Sequence, residues 1–237
     1  MANYINIESL ILDALTDAPV GFEINNKRYS IYPPTLGKKL LIDQLKRKLS
    51  INPECSKADP LEEALRVCNE SKEIVLRILA YSTLQGKENV LNEKRIKERI
   101  SVLSNLEPDE LATLLLTTIS DTTVSDLIKY FGIDRDNENR RKIAEVKKSN
   151  NTVAFGGHSI WGTLVDFACE RYGWPFDYVM WEISYNNLLM LFNDRSDSVY
   201  LTDEERKKAH LKQVGTVINA DDPANICLLY TSPSPRD

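Results

Sequence analysis

A series of amphipathic helical segments between residues 35 and 132 constrains the fold more than any other feature of the sequence. In the first segment, leucines recur at the three- and four-residue spacing that places them on one helical face. The sequence therefore predicts a mainly α fold, a helical bundle with short connections. The apolar positions of the first helix are Leu36, Leu40, Leu41, Leu45 and Leu49, and those assigned to solvent are Lys38, Lys39, Lys46, Arg47 and Lys48.

Proline, glycine and capping residues mark further helices in the same region. Asp59 before Pro60 is a standard helix start, and Gly86 ends the pattern that begins there. The helix over 59–84 carries a polar stretch, Asn69–Ser71, that could interrupt it. Three more helices are expected over 94–103, from Pro108, and over 121–131.

Before the bundle, Val20–Tyr32 predicts a β-hairpin. Phe22 and Ile24 alternate with polar residues on its first arm, and Asn25–Asn26 lies at the bend. Two strands are only marginally stable in water, so the hairpin is expected to pack on helices or on a partner. Thr35 can cap the helix that follows the hairpin.

A change of composition divides the chain after the bundle. The segment 134–157 is largely polar, which predicts a charged linker that is either an exposed helix or a flexible tether. The predicted organisation is a hairpin with a helical bundle over 1–133, this linker, an aromatic-rich helical unit over 158–216, and a disordered tail over 217–237. Helices are expected over Ile160–Tyr172, Pro175–Phe192 and Thr202–Val214, the last opened by a capping box.

The final eleven residues, Cys227–Asp237, read CLLYTSPSPRD. This string matches the conceptual translation of a common sequencing-library adapter over its whole length. We therefore expect these residues to be read-through and the natural protein to continue beyond about Ile226. No function is assigned to the tail.

Composition excludes several functional classes. A net charge of −5 shows no excess of basic residues of the kind that nucleic-acid binding requires. The most apolar stretch, Phe176–Phe192, contains Asp177 and Glu182, which makes it a poor membrane span. The four cysteines form no CxxC pair, so neither zinc nor a disulfide framework is expected, and no cofactor is predicted. These features are typical of a soluble protein of a reducing cytoplasm.

One group of nearby residues could support catalysis. His158 follows Gly156–Gly157, and Asp166 and Cys169 come shortly after it, which would suit a hydrolase with a Cys–His nucleophile pair. However, Asp166 and Cys169 fall inside a predicted helix rather than on the strand-turn-helix corner that exposes a nucleophile. The sequence therefore predicts a protein that is not an enzyme.

The aromatic-rich unit favours protein binding. It contains all three tryptophans, and its second helix is apolar on nearly every side, so every face must be covered. The cover is either the intramolecular core or a partner, which includes a second copy of the chain. Aromatic and methionine side chains are typical of binding hot spots. The candidate partner-binding residues are Trp161, Trp174, Phe176, Trp181, Tyr185 and Met190.

Two stretches resemble phage and prophage tail proteins of the tail assembly chaperone type. The first, GFEINNKRYSIYPPTLGK, opens the region 20–49. The second, FGGHSIWGTLVDFACERYGWPFDYVMWEISYNNLLMLF, spans 155–192, and its Tyr-Gly-Trp-Pro and apolar-helix portion covers about 160–193. The resemblance implies a non-enzymatic protein in the cytoplasm of a bacterial host cell, which binds the helical tape measure protein during tail morphogenesis. A structural virion component, such as a head–tail connector or tail completion protein, is the alternative.

Overall fold

The computed structural model describes residues 12–13, 15–119, 132–147, 158–194 and 198–211. The fold is mainly helical with one antiparallel hairpin near the N-terminus, which confirms the predicted fold class. The predicted helix over 121–131 and the predicted disordered tail over 217–237 lie outside the described residues. The elements are β1 Val20–Ile24, β2 Lys27–Ile31, α1 Leu36–Lys46, α2 Pro53–Ala58, α3 Pro60–Glu70, α4 Lys72–Thr83, α5 Lys87–Val90, α6 Glu93–Leu103, α7 Pro108–Ile119, α8 Ile133–Val146, α9 Ile160–Tyr172, α10 Phe176–Trp181, α11 Tyr185–Asn193 and α12 Asp203–Lys208.

The hairpin forms where the alternation predicted it. Asn25 and Asn26 both have positive φ, 49° and 61°, which is the backbone of a tight two-residue turn between right-twisted strands. Phe22 pairs directly with Tyr29, with ring centroids 5.9 Å apart. Ile24 and Ile31 are buried in the same core as the helices, so packing on the bundle stabilises the two strands.

The turn offers a test of backbone strain. A β-branched side chain in the left-handed region loses about 1–2 kcal/mol, whereas glycine adopts that region freely. We therefore expect Asn26→Val to lower the free energy of unfolding by about 1–2 kcal/mol and Asn26→Gly to leave it unchanged or raise it. Urea denaturation of the two variants measures both effects, and equal stabilities would show that the turn is not formed as described.

The helices of the N-terminal bundle surround α4. This helix packs against α1, α3, α6 and α7, and Val75, Ile78 and Leu79 on it are fully buried. The predicted interruption is present, since α3 ends at Glu70 and α4 begins at Lys72. Asp59 caps α3 by accepting hydrogen bonds from the amides of its first turn, as its position before Pro60 predicted.

Two lysines of α1 lie elsewhere than the sequence predicted. Lys38 was assigned to solvent but is only 1% exposed, and its Nζ donates a hydrogen bond to the carbonyl of Leu84, 3.2 Å away. Lys46 donates to the carbonyl of Ile119 at 3.1 Å. Leu84 caps the C-terminal end of α4 and Ile119 ends α7, where helix carbonyls lack intrahelical donors. The predicted solvent exposure of Lys38 is therefore wrong, and burial lowers the pKa of this amine to about 8.

Thr35 also differs from its predicted role. It occupies the N-cap position of α1, but its side chain makes no capping hydrogen bond, and its hydroxyl is buried without a hydrogen-bond partner among the described residues. Its backbone instead forms a β-bridge with Ser184. The amide of Tyr185 donates to the carbonyl of Pro34 at 2.8 Å, so this segment joins the hairpin end of the bundle to the helices after 158.

A buried carboxylate on α3 fixes the loop between α1 and α2. Glu63 is 4% exposed and accepts hydrogen bonds from the amide of Asn52 at 2.6 Å and from Nη2 of Arg66 at 2.7 Å. Arg66 also donates to the carbonyl of Ser50 at 2.5 Å. The hydrogen bonds from Arg66, and then that from Asn52, lower the pKa of Glu63 to about 2.

This network predicts a loss of stability in acid. Because the folded pKa of Glu63 lies below its usual value of 4.5, its ionised form stabilises the fold at neutral pH, and that contribution is lost as the pH falls from about 4.5 to about 2. We expect Glu63→Gln to be less stable at pH 7 and to lose less stability over this interval. Thermal melts at pH 7, 4 and 2.5 measure the difference; parallel curves for both proteins would contradict it.

The helices after residue 158 form a second, smaller core. Leu164, Ala168, Val179 and Leu188 are buried there together with Leu36 of α1. The helix predicted over Pro175–Phe192 is not continuous, so that prediction is wrong.

The break in this helix follows from local contacts. The chain leaves helical geometry between Trp181 and Tyr185, where the bridge from Ser184 to Thr35 removes local backbone groups from the helix ladder. The Ser184 hydroxyl then caps α11 by accepting from the amide of Asn187 at 3.2 Å. Two short helices, α10 and α11, therefore replace the single apolar helix that the sequence predicted.

The chain divides into two compact units that differ from the predicted domains. One comprises 1–135 and 153–197, and the other comprises 136–152 and 198–237. Residues 158–194 therefore belong with the hairpin and the bundle, because they share the core that includes Leu36. The division falls within α8, which forms over most of the charged segment.

The second unit contains the predicted capping box and part of the predicted last helix. The amide of Glu205 donates to the Thr202 hydroxyl at 3.2 Å, and the amide of Thr202 donates to the Glu205 carboxylate at 2.9 Å. The helix that follows is shorter than expected and ends at Lys208. None of the helices in the described part of the chain combines the length and the apolar character that crossing a bilayer requires.

Candidate partner-binding surface

Five aromatic side chains form a continuous row, which we call the aromatic ladder: four come from three helices, and Trp174 comes from the turn between two of them. Phe192 of α11 meets Phe167 of α9 edge to face, with ring centroids 5.0 Å apart. Phe167 contacts Tyr172 at 5.9 Å, and Tyr172 stacks on Trp174 at 4.6 Å with an interplanar angle of 27°. Trp174 then meets Tyr178 of α10 at 5.2 Å. Such offset and edge-to-face contacts are the favoured geometries of aromatic pairs.

The turn between α9 and α10 builds the centre of the ladder. Gly173 ends α9 with a positive φ of 65°, a left-handed cap that glycine adopts without strain. The reversal brings Trp174 back over Tyr172, and Pro175 at the N-cap then starts the helix that carries Tyr178. The sequence Tyr-Gly-Trp-Pro therefore creates a stacked aromatic corner from local geometry alone.

The ladder is only partly covered. Each of its five rings retains some contact with solvent, and Tyr178 is 40% exposed. Phe176, at the start of the same helix, is 60% exposed, and Leu191 beside Phe192 is also exposed. Large apolar side chains grouped in this way are typical of interaction surfaces, whereas isolated exposed ones are common on any protein.

One of the six predicted partner-binding residues, Trp174, belongs to the ladder. Phe176 is exposed and lies two residues before the end ring, Tyr178. Trp161 and Tyr185 instead contact each other, with ring centroids 5.9 Å apart, and both pack against the smaller core. Met190 lies half-buried on α11.

Trp181 has a structural position between the two cores. A Cβ placed on Gly37 of α1 would lie 2.8 Å from its ring, so the indole rests directly on the backbone of α1. Trp181 also packs against the larger core. The structure therefore places it inside the compact unit rather than on the ladder.

Four ladder members were missed by the sequence analysis: Phe167, Tyr172, Tyr178 and Phe192. The spacing of Phe167 and Tyr172 gives no sign of a shared surface, because their contact also depends on α11. The Tyr172–Gly173–Trp174 stretch did carry a signal, since a glycine cap between two aromatic residues folds one ring onto the other.

The exposed ionisable groups of 158–194 are mainly acidic. Within 158–194, the exposed ionised groups are the guanidinium of Arg171 and five carboxylates, those of Asp166, Glu170, Asp177, Glu182 and Asp194. Arg171 lies over the Phe167 ring at 5.7 Å, and Lys87 pairs with Asp177 at 2.8 Å. The exposed side chains of 158–194 therefore combine aromatic rings with more carboxylates than basic groups.

The three residues considered for catalysis do not converge. His158 precedes α9, whereas Asp166 and Cys169 lie within it. A helical rise of about 1.5 Å per residue separates His158 from Cys169 by about 15 Å along the axis, beyond hydrogen-bond reach. In the described ranges, no group of three histidine, cysteine, aspartate or glutamate side chains could hold a metal ion. No protein-family model, curated protein or solved structure matches the chain.

Proposed function

We propose that this chain is a non-enzymatic protein of the phage tail assembly chaperone type, which binds the helical tape measure protein before the tail tube forms around it. The observation that carries the proposal is the aromatic ladder, a row of partly exposed rings that ends at Tyr178, which is 40% exposed. It is supported by the resemblance of the hairpin and the Tyr-Gly-Trp-Pro region to this class. The protein acts in the cytoplasm of the bacterial host.

The physical basis is the protection of apolar surface. A long helical protein that waits for its tube exposes apolar stripes, which would otherwise associate with one another. A row of rigid aromatic rings covers such a stripe at a small entropic cost, because each ring has few rotatable bonds to fix. Helix-in-groove recognition of this kind uses anchors spaced by three and four residues on the bound helix.

Co-purification tests the proposal. The chain is co-expressed with a long, helix-rich phage tail protein of the tape measure type, and we expect a complex that survives affinity purification. Because buried aromatic anchors each contribute about 2 kcal/mol or more to binding, Phe176→Ser with Tyr178→Ser is expected to weaken the complex at least about 30-fold. The control is Leu61→Ser on α3, an exposed apolar residue away from the ladder, which should leave binding unchanged.

Three results would contradict the proposed function or the proposed binding surface. The absence of a complex with any neighbouring tail protein would overturn the proposal. Stoichiometric amounts of the chain in purified virions, measured by mass spectrometry, would instead indicate a head–tail connector or a tail completion protein. Equal losses in the ladder variant and the Leu61 variant would show that the ladder is not the binding surface.

A further inference from the structure

The hairpin presents an open strand edge in β1. The strand β2 packs against α4, and the amide of Tyr32 just beyond it donates to the carbonyl of Ser82 at 3.1 Å. Among the described residues, none outside β2 hydrogen bonds to the backbone of β1. We propose that β1 pairs antiparallel with β1 of a second copy of this chain, so that the two hairpins form one continuous sheet across a twofold axis at Phe22. This contact uses none of the ladder residues and is independent of the proposed function.

The hairpin decides which backbone groups of β1 point outward. In an antiparallel pair, residues that exchange hydrogen bonds with the opposite strand alternate with residues whose amide and carbonyl point away from it. The residues that flank a two-residue turn exchange such bonds, so Ile24 and, two positions earlier, Phe22 bond to β2. The outward amides and carbonyls of β1 therefore belong to Gly21 and Glu23.

One register suits these outward groups best. If Gly21 met Gly21 of the second copy, Glu23 would lie opposite Pro19, which has no amide hydrogen to donate. If Glu23 met Glu23, two carboxylates would lie directly opposite each other. Pairing Gly21 with Glu23 of the other copy avoids both faults, lets each outward amide and carbonyl bond across the contact, and places the two Phe22 residues opposite each other.

The charged side chains of the solvent face are complementary in this register. Glu23 and Arg28 are cross-strand partners within the hairpin, but no ion pair joins them in the described structure. The Arg28 guanidinium instead lies over Gly21, where a Cβ would be 3.6 Å from its Nε and 3.8 Å from its Nη2. Because directly opposite residues project to the same face of a sheet, Glu23 of the second copy would lie beside this guanidinium. The twofold axis repeats the ion pair.

The pairing also covers apolar surface. On the core-facing side of β1, Ile24 is buried, but Phe22 is only half-buried and Val20 is 49% exposed. In the proposed register Val20 lies opposite Ile24 of the second copy, and the two Phe22 rings become cross-strand neighbours. Aromatic and aliphatic cross-strand pairs of this kind stabilise a sheet.

Charge reversal in the whole 237-residue chain tests the pairing. Glu23→Arg and Arg28→Glu each place like charges together at the contact, so we expect each to weaken the dimer at least about 10-fold in sedimentation velocity at low salt. An equimolar mixture of the two variants should recover the dimer, because every arginine at the contact then faces a glutamate. An effect confined to one hairpin cannot give this recovery. The control is Lys27→Glu, the same charge change on the other face of the hairpin, which should leave the dimer unchanged.

Amide hydrogen exchange in the natural chain supplies a test without substitutions. The amides of Gly21 and Glu23 should exchange at least about 10-fold more slowly at high than at low protein concentration, whereas the amide of Phe22, which already bonds to β2, should change less. Three results would each overturn the inference: a natural chain that stays monomeric when concentrated, exchange that does not depend on concentration, or a mixture of folded variants that does not dimerise.

Discussion

Lys38→Met is expected to raise the free energy of unfolding at pH 7 by about 2 kcal/mol. Burial lowers the pKa of this amine from 10.5 to about 8, so the folded protein carries a desolvated ammonium group at neutral pH. A shift of this size corresponds to about 3 kcal/mol at about 1.4 kcal/mol per pKa unit. Methionine keeps the aliphatic length, and about 1 kcal/mol is lost with the hydrogen bond to the Leu84 carbonyl.

The pH dependence of the free energy of unfolding shows whether the buried charge of Lys38 is the cause of this difference. Below pH 8 the folded and unfolded chains both carry the proton on Lys38, and the full penalty for burying the charge is present. Between about 8 and 10.5 the unfolded chain binds the proton while the folded chain does not, so the stability of the natural protein rises with pH. The methionine variant lacks this rise, and its advantage should disappear by about pH 10.5.

Urea denaturation at pH 7, 8.5 and 10 compares the two proteins, and Lys46→Met supplies the control. Lys46 makes the same kind of contact, donating to a carbonyl at a helix end, but it is partly exposed. Its replacement removes a hydrogen bond without relieving a buried charge, so a loss of about 1 kcal/mol is expected. If Lys38→Met were destabilised as much as Lys46→Met at pH 7, the ammonium group of Lys38 would not be desolvated.

Lys38 also shows a case in which sequence periodicity predicts the wrong environment for a side chain. Its place between apolar positions of α1 predicted a solvent-facing side chain, because periodicity assigns a residue to a face by its type alone. A lysine stem is aliphatic, however, and α4 presents a helix-end carbonyl at the distance its amine can reach. Only the arrangement of α1 against α4 decides between the two environments.

Predictions from short sequence motifs were correct where the residues of the motif themselves cause the structure. Asn25–Asn26 specified the hairpin, Asp59 specified the start of α3, and Gly173 specified the end of α9. The break at Ser184 was missed because its cause lies far away in the chain, in the backbone of Thr35. For the same reason the sequence predicted one ladder residue, Trp174, but not the row as a whole, which requires α9, α10 and α11 to meet.

Gly37→Ala is expected to lower the free energy of unfolding by about 1–3 kcal/mol, the usual effect of forcing extra volume into a packed interior. A Cβ at this position would lie 2.8 Å from Cη2 and Cζ3 of Trp181 and 2.9 Å from Cε3, closer than real Cβ contacts. The neighbouring atoms belong to a rigid indole, so the ring must leave α1 or the two helices must separate.

The matched control is Gly162→Ala in α9, where the new Cβ would meet the side chain of Ser159 at an ordinary 3.6 Å. Alanine favours a helix over glycine by about 1 kcal/mol, so this variant should be unchanged or more stable. The same chemical change is therefore expected to have opposite signs at two helical positions. Chemical denaturation of both variants measures the contrast.

Trp181 supplies an independent readout of the same contact. In a background with Trp161→Phe and Trp174→Phe, the remaining indole should shift its fluorescence emission to longer wavelength in Gly37→Ala and not in Gly162→Ala, because it gains exposure to water. A double-mutant cycle with Trp181→Leu should show strong coupling to Gly37, since the alanine is unfavourable only while the ring lies above it. Additive effects and an unshifted emission would together mean that Trp181 does not rest on α1. The contacts of Leu36 and the Thr35–Ser184 bridge would then be left to join the aromatic helices to the bundle.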